Sequence, residues 1–235
     1  TFALTKDGNF ERRNHLVRIL PPGYEIDLPQ AAKRAPSPQT LERALEKLLA
    51  ARREREQPFR DEKTVLAWNA LAGCGLLAAH RYADVEGSLG RAVELARALV
   101  ARFVGPDGVA HLALGSQLQH QEFLSDVAAL LLFLTMLGEE STELDAEFAD
   151  TRQLLVRRLA ALRDDDVWME SIPADFPPVP AEPFDQPVPS GMAMAEYALL
   201  LGRIRGHHEY EPHPYTDAHA QGFANLAALA SRGYT

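Results

Sequence analysis

Apolar residues recur along this chain at two kinds of spacing. In some stretches they form one helical stripe, and in others they fill nearly the whole circumference. The stretch from Gln57 to His80 is of the second kind: Arg60, Asp61, Glu62 and Lys63 lead into a run of apolar and small residues. A helix apolar on most sides belongs inside a helical assembly. Its first turn leaves backbone N–H groups without partners at the positive end of the dipole. Asp61 or Glu62 is expected to satisfy those donors, with Trp68 and Asn69 further in.

The rest of the chain reads around that helix. Residues 1–38 show little helical periodicity. Phe2, Leu4, Phe10, Leu16, Val17 and Ile19 suit short extended pieces with a turn at Gly8–Asn9, and Pro21, Pro22, Gly23, Pro29, Pro36 and Pro38 punctuate a loop. Leu41, Ala44, Leu45, Leu48 and Leu49 then make a helical stripe ended by Pro58, with Ser37 or Thr40 as N-cap. Residues 88–104 predict an amphipathic helix stopped by Gly105-Pro106-Asp107-Gly108, and residues 109–114 a short strand. Residues 120–138 are apolar almost all round and closed by Gly138. Residues 142–163 are amphipathic again, and 167–171 predict a strand. A proline-laden loop from Pro173 to Pro189 precedes a mostly apolar helix over 190–204 and an amphipathic one over about 217–231.

Amphipathic and buried helices therefore alternate. The expected fold class is all-α, a partial (α/α) toroid of helical hairpins in two layers with short β pieces in its loops. A bundle with central helices is the competing arrangement. No fixed repeat period is visible. Residues 1–38 form an extended N-terminal segment in this reading, and residues 39–235 the hairpin domain.

Composition narrows the function classes. A formal charge of −9 argues against a nucleic-acid partner. The local basic run of Arg52, Arg53, Arg55, Arg60 and Lys63 is interrupted by Glu54, Glu56, Asp61 and Glu62, as on a solvated helix face. The single cysteine, Cys74, allows neither an internal disulfide nor a CxxC motif and lies in an apolar helix, where a packed, inert thiol is expected. No signal peptide is legible and no apolar run reaches the roughly 18 residues that span a bilayer, so a cytoplasmic location and no membrane partner are expected. The chain begins at Thr1, as a piece of a longer protein would.

Four segments carry a family resemblance: GNFERRNHL (residues 8–16), PFRDEKTVLAWNAL (58–71), EFLSDVAALLLFL (122–134) and DQPVPSGMAMAEYALLL (185–201). In this order they resemble landmarks of the YyaL-type thioredoxin-domain proteins, which include the spermatogenesis-associated thioredoxin-like proteins. That family joins a thioredoxin-like domain to a toroid similar to the six-hairpin (α/α)6 glycosidases and sugar epimerases. The resemblance covers only the later part of that toroid, without the thioredoxin domain. It departs from the family at Ala70, Val127 and Met192, where Gly, Tyr and Asn are usual. It implies a carbohydrate-binding or sugar-processing protein, hydrolase or epimerase-like. The alternative is a non-catalytic interaction module that binds a protein or itself through the toroid's open edge.

In such a ring the inner helices point one way and their starts share one mouth. Asp61, Asp126 and Asp185 lie at or before those starts, and paired carboxyl groups are what glycoside hydrolysis uses. They are the candidate catalytic residues, with Trp68 as a sugar-stacking platform and Lys63, Asn69 and His120 as further substrate contacts. The structural alternative stands beside this: Asp61 caps a helix, Asp185 forms a turn, and Asp126 bonds locally or pairs with a cation. An acid inside a nearly continuous apolar helix needs some partner, which singles out Asp126. Ser190 reads as an N-cap. His207, His208, Glu209 and His213 crowd one loop without metal-ligand spacing, and neither a metal nor a cofactor is expected.

Overall fold

The structure, a computed structural model, describes residues 2–3, 5–8, 11–12, 17–18, 37–106, 108–164 and 167–208. The predicted helix over 217–231, and Leu4, Asn9, Phe10, Leu16, Ile19, Glu209 and His213, lie outside them. The chain falls into two units, Thr1–Asp61 and Glu62–Thr235.

The first unit pairs β1 (Phe2–Ala3) with β2 (Val17–Arg18) in antiparallel register and holds helix α1 (Pro38–Arg53). Ser37 caps α1 by accepting the Thr40 N–H, while Pro38 opens the helix at a position that needs no donor. None of α1 is buried, although its apolar stripe is regular. Helix α1 lies within the first unit, Thr1–Asp61.

The second unit runs β3 (Thr64–Val65), α2 (Leu66–Ala83), α3 (Ser88–Phe103), β4 (Val104–Gly105), β5 (Gly108–Val109), β6 (Leu112–Leu114), β7 (Gln117–Gln119), α4 (Leu124–Leu137), α5 (Thr142–Glu147), α6 (Ala149–Ala161), β8 (Arg163–Asp164), β9 (Val167–Ser171), β10 (Val179–Pro180) and α7 (Gly191–Ile204). The protein is thus mostly helical, with seven helices among the described residues and small antiparallel sheets between them. None of the helices described is long and apolar enough to cross a membrane.

Helix α4 is the centre, with α2, α6 and α7 packed around it and α3 behind α2. Twelve of its fourteen residues are buried, as a helix apolar all round requires. Both ends of the α2–α4–α7 layer are pinned by polar contacts. At the starts, Asp126 of α4 accepts the Ala67 N–H of α2 at 2.9 Å. Gly191 of α7 seats so closely that a Cβ there would lie 3.1 Å from the Ser125 amide. At the ends, Arg81 of α2 donates to the Met136 carbonyl at 2.8 Å, and Arg205, just past α7, donates to the Gly138 carbonyl at 3.1 Å. Starts meet starts and ends meet ends, so the three helices run parallel.

Three readings are corrected. Helix α2 begins at Leu66, so Asp61, Glu62 and Lys63 precede it instead of forming its first turn, and its N-cap Val65 makes no side-chain cap bond. The residues before Leu66 are drawn off into β3, which pairs with β6. Helix α2 also buries only Ala67 and the stripe Leu66, Ala70, Gly73 and Leu77, while Trp68, Ala72, Gly75 and Tyr82 on another stripe are exposed. Residues 142–163 are two helices and not one, because Phe148, at φ −103° and ψ 7°, breaks the run and turns its ring into the core.

Candidate functional site

The helix starts carry a polar cluster built around Asp126. The first turn of α2 lacks a side-chain cap of its own, so its donors are met from elsewhere in the fold: the Leu66 N–H by the His111 carbonyl at 2.9 Å and the Ala67 N–H by Asp126 Oδ1. Asp126 is completely buried, and its other oxygen, Oδ2, lies 2.7 Å from His111 Nδ1. Burial pushes the Asp126 carboxyl up to about 6; the His111 bond and charge and the Ala67 N–H pull against it, and the Glu170 charge adds to the rise.

Strand pairing on both edges of β6 holds the backbone beside His111 in place. His111 precedes β6, whose residues pair with β3 on one edge and β7 on the other. Its N–H donates to the Gln119 carbonyl, and its ring lies 4.6 Å from that of Phe123. Its side chain is 27% exposed, so the cluster reaches solvent through the imidazole. Glu170, on β9, receives the Ser125 hydroxyl at 2.8 Å at the start of α4, and its Oε2 would lie 3.2 Å from a Cβ on Gly191. A third acid, Glu122, is gripped through both its oxygens by Arg158 and also accepts the Val109 N–H, which ties the β4–β5 hairpin to α6.

The residues singled out from sequence scatter around this cluster. Asp126 lies at its centre. Trp68 is 66% exposed on the first turn of α2, one residue past the N–H that Asp126 receives. Asn69 turns back and donates to the Val65 carbonyl at 2.7 Å. Lys63 is exposed before β3, and Asp61 is exposed at the end of the first unit. Asp185 receives the Ser190 N–H at 2.9 Å in the loop that leads into α7, and Ser190 in turn caps α7 through the Ala193 N–H. His120 lines a cavity of about 540 Å³ with Glu122, Arg158 and Asp175. Of the departures from the family pattern, Val127 is fully buried in the core and Met192 packs against it. Cys74 behaves as a packed thiol, pushed up to about 12 by burial.

Sequence reading missed His111 and Glu170. Glu170 sits in β9 and His111 in the bend just before β6, places set by tertiary pairing, and a lone His or Glu there gives no local signal. No group of three or more His, Cys, Asp or Glu side chains among the described residues is arranged to hold a metal ion. No protein-family model matches this chain and no curated protein matches its sequence.

Proposed function

We propose that the layered helices are an arc of an (α/α) toroid of the six-hairpin type, and that the gathered starts of α2, α4 and α7 form a carbohydrate-directed site. In it His111 exchanges protons with a sugar and Asp126 is the positioning residue behind it. The observation that carries this reading is the 2.7 Å approach of His111 Nδ1 to the buried Asp126 carboxylate. The ionised carboxylate accepts the Nδ1 proton, which sets the tautomer and leaves Nε2 as the basic atom. Exposed Trp68 supplies a flat apolar face close by on α2. A single solvent-reaching imidazole suits proton transfer of the isomerase kind better than glycoside hydrolysis, which uses two carboxyl groups flanking the bond. The parallel inner helices and the α3 and α6 helices outside them support the toroid.

Calorimetric titration with a panel of mono- and oligosaccharides, on the wild-type chain and on His111→Gln, tests the site. Saturable heat from at least one sugar is expected, weakened at least tenfold in a His111→Gln variant of unchanged circular dichroism. Silence from every sugar sinks the reading.

The exposed stripe of Trp68, Ala72, Gly75 and Tyr82 on α2 favours a second reading, an interaction module that binds a protein or a second copy of itself. Sedimentation checks it: association that rises with concentration and is lost in Tyr82→Lys supports the module, and a monomer at all concentrations removes self-association.

A further inference from the structure

At the opposite end of the helix layer, a cavity of about 430 Å³ lies between Thr135 of α4, Arg152 of α6, Gly202 of α7 and His207 just beyond it. Arg152 is only 4% exposed, and its Nη2 donates both to the Asp145 carbonyl at 2.8 Å and to Asp145 Oδ1 at 2.9 Å. A guanidinium carries five N–H donors. Nε and Nη1, which hold the other three, meet no hydrogen-bond acceptor, and Thr135 Oγ1 and His207 Nδ1 are buried in the same condition among the described residues. Buried polar atoms are nearly always paired, so four with open capacity on the walls of one cavity mark a place built for something else.

The charge there has a sign. Among the described lining residues Asp145 is the one carboxylate, beside buried Arg152 and exposed Arg157. Burial makes both Arg152 and His207 harder to protonate, Asp145 opposes this in each, and Arg205, itself 3.8 Å from Glu139, adds a smaller push in the same direction as burial.

We infer that this cavity binds a small molecule through an oxyanion group, a phosphate or a carboxylate, held by the open N–H donors of Arg152 with the Thr135 hydroxyl and His207 beside it. The His207 ring is already oriented, with Nε2 3.2 Å from Asp145 Oδ1. An anion at Nδ1 favours the imidazolium, which then donates from both nitrogens. The site stands apart from the His111 cluster and does not depend on the sugar reading.

The test is thermal unfolding of the chain in chloride, inorganic phosphate or acetate at matched ionic strength, backed by calorimetric titration of the same anions. Saturable stabilisation by phosphate alone assigns a phosphate group. Stabilisation by acetate, with or without phosphate, assigns a carboxylate. Melting points that coincide in all three salts up to about 50 mM anion overturn the proposal, because a ligand that binds only the folded chain must raise its melting point.

Arg152→Lys keeps the charge and removes the planar donors, and is expected to weaken binding at least tenfold. Should that variant fail to fold, Thr135→Val decides. It removes one unpaired hydroxyl at constant shape, so the anion-free chain melts no lower than wild type while affinity falls about threefold to fivefold. An anion response of wild-type strength in Thr135→Val and in any folded Arg152→Lys places binding elsewhere and overturns the proposal.

Discussion

The starts of α2, α4 and α7 are held by carboxylates and their ends by arginines, and the two ends differ in more than sign. At the starts, Asp126 is fully buried and serves two partners at once, the Ala67 N–H and His111. At the ends, Arg81 binds Glu139, Glu140 and the Met136 carbonyl with 22% of its side chain in solvent. Each arrangement opposes the helix dipole that faces it. At the starts the shared acceptor Asp126 is itself sealed from water, so losing it strands its donors, whereas Arg81 reaches solvent and water can replace the bonds it makes. One motif of parallel helices thus has a brittle end and a tolerant end.

The largest expected effect follows directly. Asp126→Ala leaves a buried N–H and an imidazole nitrogen without their acceptor and is expected to cost about 3 to 4 kcal/mol. Arg81→Ala removes a comparable number of bonds at the partly solvated end and is expected to cost about 1 kcal/mol. Urea unfolding of both variants measures the contrast. Equal losses would mean that burial does not separate the two ends.

The starts also carry a pH signature. The Asp126 carboxyl titrates near 6 in the folded chain and near 3.8 when exposed. Between those values the folded chain retains a proton that the unfolded chain has released, so raising the pH through this window works against folding. Asp126→Asn binds no proton in either state. The stability of wild type relative to Asp126→Asn should therefore fall from about pH 4 to about pH 6, by roughly 2 kcal/mol, and then level off. A difference that is flat, or that grows with pH, contradicts the burial-dominated carboxyl.

Legibility in the sequence follows the same division. Helices α3, α4 and α7, the strand at 167–171, the Ser37 and Ser190 caps and the stop at Gly138 were readable because each rests on local periodicity or capping chemistry. Asp126 was singled out because a charge in an apolar helix must find a partner. Which partner it finds was not readable: His111 lies 15 residues away and Ala67 lies 59 away, and only the tertiary packing joins them. For the same reason Asp61 and Glu62 looked like caps. The pattern has the right residues before α2, but β3 pairing with β6 takes up the intervening chain, and a cap from another helix does their work. Glu170 and Arg152 escaped notice because their roles are entirely tertiary.

Between the two polar ends, packing decides. A Cβ on Gly73 would run into the Phe133 ring, which is buried in α4. Gly73→Ala gains about 1 kcal/mol of helix propensity and loses more to overpacking, for an expected net destabilisation of about 2 kcal/mol. Phe133→Leu should lessen the penalty in the double variant, and a thermodynamic cycle over the two sites measures the coupling. Additive effects would show that α2 and α4 do not touch there.

Gly75 gives the smallest and opposite effect. It lies two residues along the same helix, on the stripe with Trp68 and Tyr82, and a Cβ built on it has nothing within 4 Å. It is also absent from the glycines with positive φ, so alanine is conformationally acceptable. With no neighbour to displace, Gly75→Ala removes backbone freedom from the unfolded chain and is expected to stabilise by about 0.5 to 1 kcal/mol, read as a shift in urea midpoint at unchanged slope. The sign also carries information about α2 in solution. If this stripe packs closely on a second copy, the added methyl intrudes, and the variant loses stability as protein concentration rises. A gain independent of concentration means the stripe is bare, and the contrast between the two faces of α2 then stands as the geometry draws it.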